Sequence, residues 1–329
     1  MRPPQFWSNP PQAPGVAARL LAPLSAFNAQ NTARRVAREP DILPDIPIIC
    51  VGNLNAGGTG KTPTVIALAE RLQGAAPHIV SRGYGGDLKG PVLVDQAQHD
   101  AAAVGDEPLL LAAFAPTWVA KNRASGVRAA IAAGAGVVIL DDGFQNPSVA
   151  KSLSIVVVDG ARGFGNGRVI PAGPLREPVA VGLARADMLL VIGGAASQSQ
   201  FETVWPDLPY LPLLRGVLEP LETGMEWNGI RAMAFAGIGH PEKFFATLRG
   251  LGANLIRAVP LDDHQPLTDG LLRRLELEAA AQSAQLVTTE KDATRLPASF
   301  RQKVLTLPVR LKIKDTAAID AALADLKLN

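Results

Sequence analysis

The feature that most constrains this chain is the run Ile48-Ile49-Cys50-Val51-Gly52-Asn53-Leu54-Asn55-Ala56-Gly57-Gly58-Thr59-Gly60-Lys61-Thr62-Pro63. An apolar strand stops at Gly52, a glycine-rich turn follows, and Lys61-Thr62 open a segment patterned as a helix to about Arg71. Strand, loop and helix in that order make a P-loop. Glycines let successive backbone amides converge on an anion, the helix N-terminus adds positive dipole, the lysine reaches the outer phosphates and the hydroxyl reaches Mg2+. The nucleotide-binding set read from the sequence is therefore Asn55, Ala56, Gly57, Gly58, Thr59, Gly60, Lys61 and Thr62. One letter departs from the pattern G-x-x-x-x-G-K-[ST]: Asn55 stands at the first glycine position.

A strand that feeds a P-loop needs parallel neighbours. Continuous apolar runs at 78–81, 136–140, 154–158 and 188–192 supply them, separated by segments of helical patterning. Runs of that kind with helical crossovers predict an α/β fold, a P-loop NTPase-type parallel sheet with helices on both faces. Proline and turn residues over 208–215 and 222–228 mark a hinge, after which a second alternation begins. There the pattern predicts one strand over 304–311 and a last helix over 316–326, within a smaller C-terminal α/β domain. The expected division is an N-terminal segment 1–40, a P-loop core 41–215 and a smaller domain 216–329.

In the N-terminal segment Val16, Leu20, Leu21, Leu24 and Phe27 alternate with Arg19, Arg34, Arg35 and Arg38, interrupted at Pro23. Such a basic amphipathic stretch can lie in a bilayer interface or pack on its own domain, and composition does not separate the two. No apolar run approaches the roughly 18 residues of a spanning helix, so the chain is not expected to cross a membrane. The net charge of +2 argues against a dedicated nucleic-acid binder. A lone cysteine, Cys50, excludes an internal disulfide or a Cys-rich metal site and points to a reducing compartment.

Asp141 and Asp142 end the apolar run 137–140, where a carboxylate beside the P-loop metal belongs. Adjacent acids on an extended end diverge, so one can hold Mg2+ directly and the other through water or structure. Asp106 opens a helix, where capping alone also accounts for an acid. Arg82 and Tyr84, in a loop after another strand end, suit an anionic or sugar-containing substrate or a simple turn. Arg176 and Glu177 sit in the rigid loop 171–178, suited to phosphate and metal or to a surface ion pair. His264 follows Asp262 and Asp263 at a strand end and can move a proton, whereas His78, His99 and His240 read as structural.

Taken together, the loop Val51…Pro63, Ser81-Arg82-Gly83-Tyr84-Gly85, Gly105-Asp106-Glu107-Pro108, Asp141-Asp142-Gly143-Phe144-Gln145, the 171–177 loop, Asp263-His264 and Thr289-Glu290-Lys291-Asp292 resemble the tetraacyldisaccharide 4'-kinase family of lipid A biosynthesis. The motifs fall in the family's order over roughly residues 15–315. The resemblance implies transfer of the ATP γ-phosphate to the 4'-hydroxyl of tetraacyldisaccharide 1-phosphate, forming lipid IVA. It also implies a peripheral, monotopic enzyme on the cytoplasmic face of the bacterial inner membrane, with ATP and Mg2+ as cofactors and no obligate protein partner. By the same resemblance Asp106 and His264 form the base dyad and Lys61 completes the catalytic set. Thr62, Asp141, Asp142 and Glu177 surround the metal, and Arg82, Tyr84, Gln145 and Arg176 lie near the substrate. An acceptor with four acyl chains also turns the N-terminal segment into an expected interfacial anchor at an anionic membrane surface.

Two other P-loop classes fit less well. Partitioning ATPases carry a second lysine in the loop, where this chain has Ala56, and GTPases carry N-K-x-D, whereas Lys291 and Asp292 here are adjacent.

Overall fold

A computed structural model describes residues 3–263 and 265–328. Two short helices come first, α1 (Val16–Leu20) and α2 (Ala22–Val36), followed by β1 (Ile48–Gly52) and the P-loop helix α3 (Lys61–Arg71). The chain then alternates through β2 (Pro77–Ser81), β3 (Val92–Leu93), α4 (Ala101–Val104), α5 (Asp106–Leu111), β4 (Thr117–Val119), α6 (Arg123–Ala132) and β5 (Val137–Asp141). It continues with β6 (Leu153–Asp159), α7 (Val179–Leu183), β7 (Met188–Ile192), α8 (Ala195–Val204) and β8 (Leu213–Pro220).

The second alternation runs β9 (Arg231–Ala236), α9 (Pro241–Gly250), β10 (Asn254–Pro260), α10 (Asp269–Ala281), β11 (Gln285–Thr289), α11 (Glu290–Ala293), α12 (Ala298–Arg301) and β12 (Val304–Leu307). The last elements are β13 (Val309–Ile313) and α13 (Ala317–Asp325).

Among the described residues, nine strands form one sheet in the order β13-β8-β7-β6-β1-β5-β2-β4-β3, and four form another in the order β10-β9-β11-β12. The large sheet is parallel except at its two edges, where β3 and β13 run antiparallel to their neighbours. Its central strands are buried on both faces, which is why they read as continuous apolar runs. Within β1 the side chains alternate: Ile49 and Val51 join α3 and α13 in one core, and Ile48 and Cys50 join α6, Phe144 and Phe201 in the other.

The strand expected over 304–311 divides at Pro308. Residues before it stay in the small sheet as β12, and residues after it pair with β8 at the edge of the large one. A proline has no amide to donate, so the ladder breaks there and the chain can change sheets. Ile319 and Leu323 of α13 then pack into the large unit's core. The smaller unit is therefore an insert between β8 and β13, and the expected boundaries at 215 and 329 are corrected accordingly. Part of the expected hinge, 213–215, is in fact the start of β8.

Helices α1 and α2 pack with small residues, Ala18 and Ser25, and show their large ones. Ser25 is buried, whereas Val16, Leu20, Leu24 and Phe27 are each more than half exposed. The Ser25 hydroxyl donates to the Val169 carbonyl at 2.6 Å and accepts from the Ala172 amide at 3.0 Å. Asn28 donates to the Ile170 carbonyl, and Trp7 donates from its indole to the Pro171 carbonyl at 3.0 Å. The N-terminal segment is thus riveted to the loop that carries Arg176 and Glu177. No helix of the described residues is long and apolar enough to cross a membrane.

Candidate active site

The parallel register sets the site. Val51 lies opposite Asp141 across β1 and β5, so the P-loop and the paired acids leave the sheet side by side. Beneath the loop, buried Asn53 donates to the Gly57 carbonyl at 3.2 Å and to the Thr59 hydroxyl at 3.1 Å. Gly57 and Gly60 take positive φ, and a Cβ on Gly57 or Gly58 would meet nothing within 4 Å, so the cradle is open on that side. Among the described residues no carbonyl accepts from the amides of Gly57, Gly58, Thr59 or Gly60. Unspent backbone donors around a void, at the start of an 11-residue helix, fit a polyphosphate.

Asn55 and Ala56, read above as nucleotide contacts, have other work. The Asn55 amide donates to the Gly163 carbonyl at 3.1 Å, and the Ala56 backbone amide donates to Pro174 at 2.7 Å. They pin the loop's outer limb to the 163–175 region. This accounts for the asparagine at a glycine position: its side chain turns away from the cradle.

Asp141 and Asp142 do diverge. Asp142 adopts φ 54°, which swings its carboxylate toward Lys61, at 3.8 Å, and into a bidentate bond with Arg176, at 2.8 and 3.0 Å. Burial works against the Asp142 charge, but Lys61 and Arg176 outweigh it and hold the carboxyl below its ordinary range. Asp141 turns the other way and accepts from the Ser81 hydroxyl at 2.8 Å, leaving its buried Oδ1 without a hydrogen-bond partner. Burial, with Glu107 and Asp142 nearby, pushes its pKa up to about 6. A buried, unfilled carboxylate oxygen next to a phosphate cradle is the donor a divalent cation would use. No group of three or more His, Cys, Asp or Glu able to hold a metal occurs among the described residues.

Glu177 is placed differently from the expected metal role. It is 2% exposed, and its two oxygens accept from Gln145, at 2.9 Å, and from Arg185, at 2.5 Å. Gln145 also donates to the Asn53 carbonyl and accepts from Arg176. Gln145 and Arg176, expected near the acceptor, thus link Glu177 to Asp142 in one buried lattice. Arg185, whose guanidinium lies 4.5 Å over the Phe144 ring, escaped the sequence reading because nothing local marks it.

Asp106 opens α5 and is 4% exposed. One oxygen accepts from the Glu107 amide at 2.9 Å. The loop of Arg82 and Tyr84 packs backbone to backbone against it: a Cβ on Gly105 would lie 2.7 Å from the Tyr84 carbonyl, and one on Gly86 2.6 Å from the Val104 carbon. The Arg82 and Tyr84 side chains remain exposed above this contact. From the small unit, Lys291 reaches Glu107 at 3.1 Å and Asp106 at 3.9 Å, and Arg295 reaches Asp106 at 3.9 Å. Asp263 lies 3.9 Å from Lys291, and His264 is outside the described residues. A second bridge was not foreseen. Asp159, at the end of β6, meets Lys243 at 2.7 Å and His240 at 3.9 Å, so His240 faces the large unit. His78 accepts from the Trp118 indole, as a structural histidine does.

Residues 17–327 match the family model described as "Tetraacyldisaccharide-1-P 4'-kinase". The chain belongs to that family. The Dinoroseobacter shibae tetraacyldisaccharide 4'-kinase is 66% identical to this family member over 99% of the chain and 98% of the relative. The one from Jannaschia sp. is 58% identical over 98% of each. Among solved structures, LpxK from Aquifex aeolicus, in a crystal with ATP, superposes with a TM-score of 0.76 at 24% identity, covering 94% of this chain and 99% of that one. That likeness shows that the 4'-kinase described here shares its fold, an α/β architecture built on a large, mostly parallel sheet.

Proposed function

We propose that this kinase transfers the γ-phosphate of ATP to the 4'-hydroxyl of tetraacyldisaccharide 1-phosphate, with Asp106 as the group that takes the hydroxyl proton. The observation that carries the reading is the meeting of two half-sites. The open cradle and the Asp141–Asp142 pair come from one end of the large sheet, Glu107 lies near enough to act on the Asp141 charge, and Asp106 beside it sits beneath two cations of the small unit.

In this reading the amides of 57–62 and Lys61 hold the donor phosphates. The acceptor oxygen attacks the γ-phosphorus, the bond to the ADP oxygen breaks, and the proton passes to Asp106, with His264 as its partner by family resemblance. Asp141 and Thr62 would hold Mg2+, with Asp142 behind them on Arg176; when bound, the ion supplies charge neutralisation on the phosphate oxygens. Arg82 and Tyr84 edge the acceptor's approach. The exposed face of Val16, Leu20, Leu24 and Phe27 lies in an anionic bilayer surface, on the cytoplasmic side of the inner membrane, where a four-chain lipid is met.

Incubation of the purified protein with labelled ATP and tetraacyldisaccharide 1-phosphate tests the assignment. A phosphorylated lipid is expected; ATP turnover without it would defeat the reading. Asp106→Asn is expected to lower kcat by roughly 100-fold or more, within the range for a lost general base, with the KM for ATP nearly unchanged.

A further inference from the structure

The motif Thr289-Glu290-Lys291-Asp292 supplies Lys291 to the contact described above, and its Asp292 organises the small unit's face toward Asp106. Asp292 is completely buried. Its carboxylate accepts from the Gly237 amide, at 3.1 and 3.2 Å, from the Thr289 hydroxyl at 2.7 Å, and from the Arg295 guanidinium. With Arg295 so clamped, its Nη1 donates to the Gln265 carbonyl at 2.8 Å, and Nη2 lies against Gly237 at the end of β9. A Cβ on Gly237 would sit 2.8 Å from that nitrogen, so the glycine leaves the room the arginine occupies. The remaining nitrogen, Nε, lies 3.9 Å from Asp106 Oδ2 across the gap between the units. The side chain is 9% exposed.

We propose that Arg295 is a positioning residue for phosphoryl transfer: its fork fixes the small unit's loop at Gln265, and its charge faces the Asp106 carboxylate on the large unit as an ion pair at 3.9 Å. This rests on Asp106 being the base. One planar, delocalised cation can bond the loop through its fork while its charge faces the carboxylate, whereas an ammonium on a flexible stem serves one point. Assembly of the proton-accepting site then depends on the small unit lying on α5.

The charged groups around Asp106 fix the sign of the effect. Glu107 neighbours it on its own helix, Lys291 and Arg295 lie 3.9 Å away, and Asp263 lies 3.9 Å from Lys291. Of the elements packed on α5, α11 also carries Glu290 and Asp292 and α3 carries Lys61, Glu70 and Arg71, of which Glu70, Arg71 and Glu290 pair elsewhere, and α4 and β4 carry none. Removing the Arg295 charge leaves Lys291, among the described residues, as the cation of the small unit within 4 Å of Asp106, shared with Glu107 and Asp263. The carboxylate is then less favoured, and a higher pH is needed to have the base ready.

The test is the pH dependence of kcat in Arg295→Gln and Arg295→Lys, with Asp106→Asn alongside. In Arg295→Gln kcat at neutral pH should fall on the order of 10- to 100-fold and the KM for ATP should stay within about twofold. The acidic limb should move up by roughly one pH unit, the shift expected when an adjacent opposite charge is lost. Arg295→Lys should keep the limb in place and lose kcat several-fold. An unmoved limb in the glutamine variant overturns the inference, since a purely structural staple would lower activity equally at every pH. If the glutamine variant does not fold, the lysine variant decides: wild-type kcat there shows that the fork is not needed. Retained activity in Asp106→Asn refutes the base reading itself, and this inference falls with it. An inactive Asp106→Asn with an unmoved limb in Arg295→Gln sinks only the role of Arg295.

Discussion

Replacing Arg185 with methionine separates two meanings of Glu177. The carboxylate is closed off from water and rests on one guanidinium and one amide. Methionine keeps most of the apolar stem over Phe144 but leaves a buried charge with Gln145 as its remaining hydrogen-bond donor and Lys151 as a nearby cation. Breaking a buried pair costs about 3–5 kcal/mol. Arg185 is 31% exposed, and water reaching that edge brings the expected loss to about 2–3 kcal/mol. At roughly 2 °C per kcal/mol for a chain of this size, the thermal midpoint should fall by about 4–6 °C. The double variant Arg185→Met/Glu177→Gln should regain most of that loss, because no buried charge remains and Gln145 keeps a partner. Thermal unfolding of the two single variants and the double, with the Mg2+ dependence of kcat for Glu177→Gln, makes the comparison. If Arg185→Met is as stable as the parent, and Glu177→Gln raises the Mg2+ requirement tenfold or more, the carboxylate serves a metal and the support role assigned to it is wrong.

Asp141 offers a test with a definite sign. Its folded pKa, near 6, lies above the unfolded value, so its ionisation costs stability as pH rises from about 4 through 6. Asp141→Asn should therefore raise the midpoint of the metal-free protein at pH 7–8, show little gain below about pH 4, and abolish turnover. A midpoint equally raised at pH 3.5 and 7.5 would show that the charge is not the cause. Lys61→Ala should raise the KM for ATP and lower kcat together, in contrast to Asp106→Asn; equal ATP affinity in parent and Lys61→Ala would remove the lysine from the cradle. Leu20→Ser/Phe27→Ser touches only exposed side chains, so it should leave the midpoint within about 1 °C and raise the apparent KM for bilayer-presented lipid several-fold. Unchanged lipid kinetics would place the acyl chains elsewhere.

The strands of the large sheet and the P-loop were legible because each is fixed locally. A buried parallel strand must be apolar throughout, and a glycine run before Lys61 has few other uses. The end of β5 could be read for the same reason. What the sequence hid depends on contacts across the fold. Asn55 reads as a flaw in a glycine pattern until Gly163, 108 positions away, is seen to accept its amide. Arg185 and Asp159 lie in no motif, and their partners Glu177 and Lys243 are brought to them by the sheet and by the second unit. Glu177 itself looked like a metal ligand because residue type alone does not reveal that both its oxygens are already engaged. The misplaced boundary has a single physical cause, one proline. An apolar run over 304–311 is a sound strand by composition, and only the missing amide of Pro308 tells that it serves two sheets.

The arrangement of β8 and β13 has a mechanical side. Pro220 and Val309 are paired neighbours, so the chain leaves the large unit and re-enters it at one point. The inserted 88 residues, 221–308, therefore hang on a doubled tether and not on two separated ones. The gap where Asp106 faces Lys291 and Arg295 lies between the two units joined in this way. The doubled tether makes the two lengths of chain separable in principle. A tight turn joining residue 220 to residue 309 would leave every strand of the large sheet with its present neighbours, while nothing of the proton-accepting half would survive the excision but Asp106 itself.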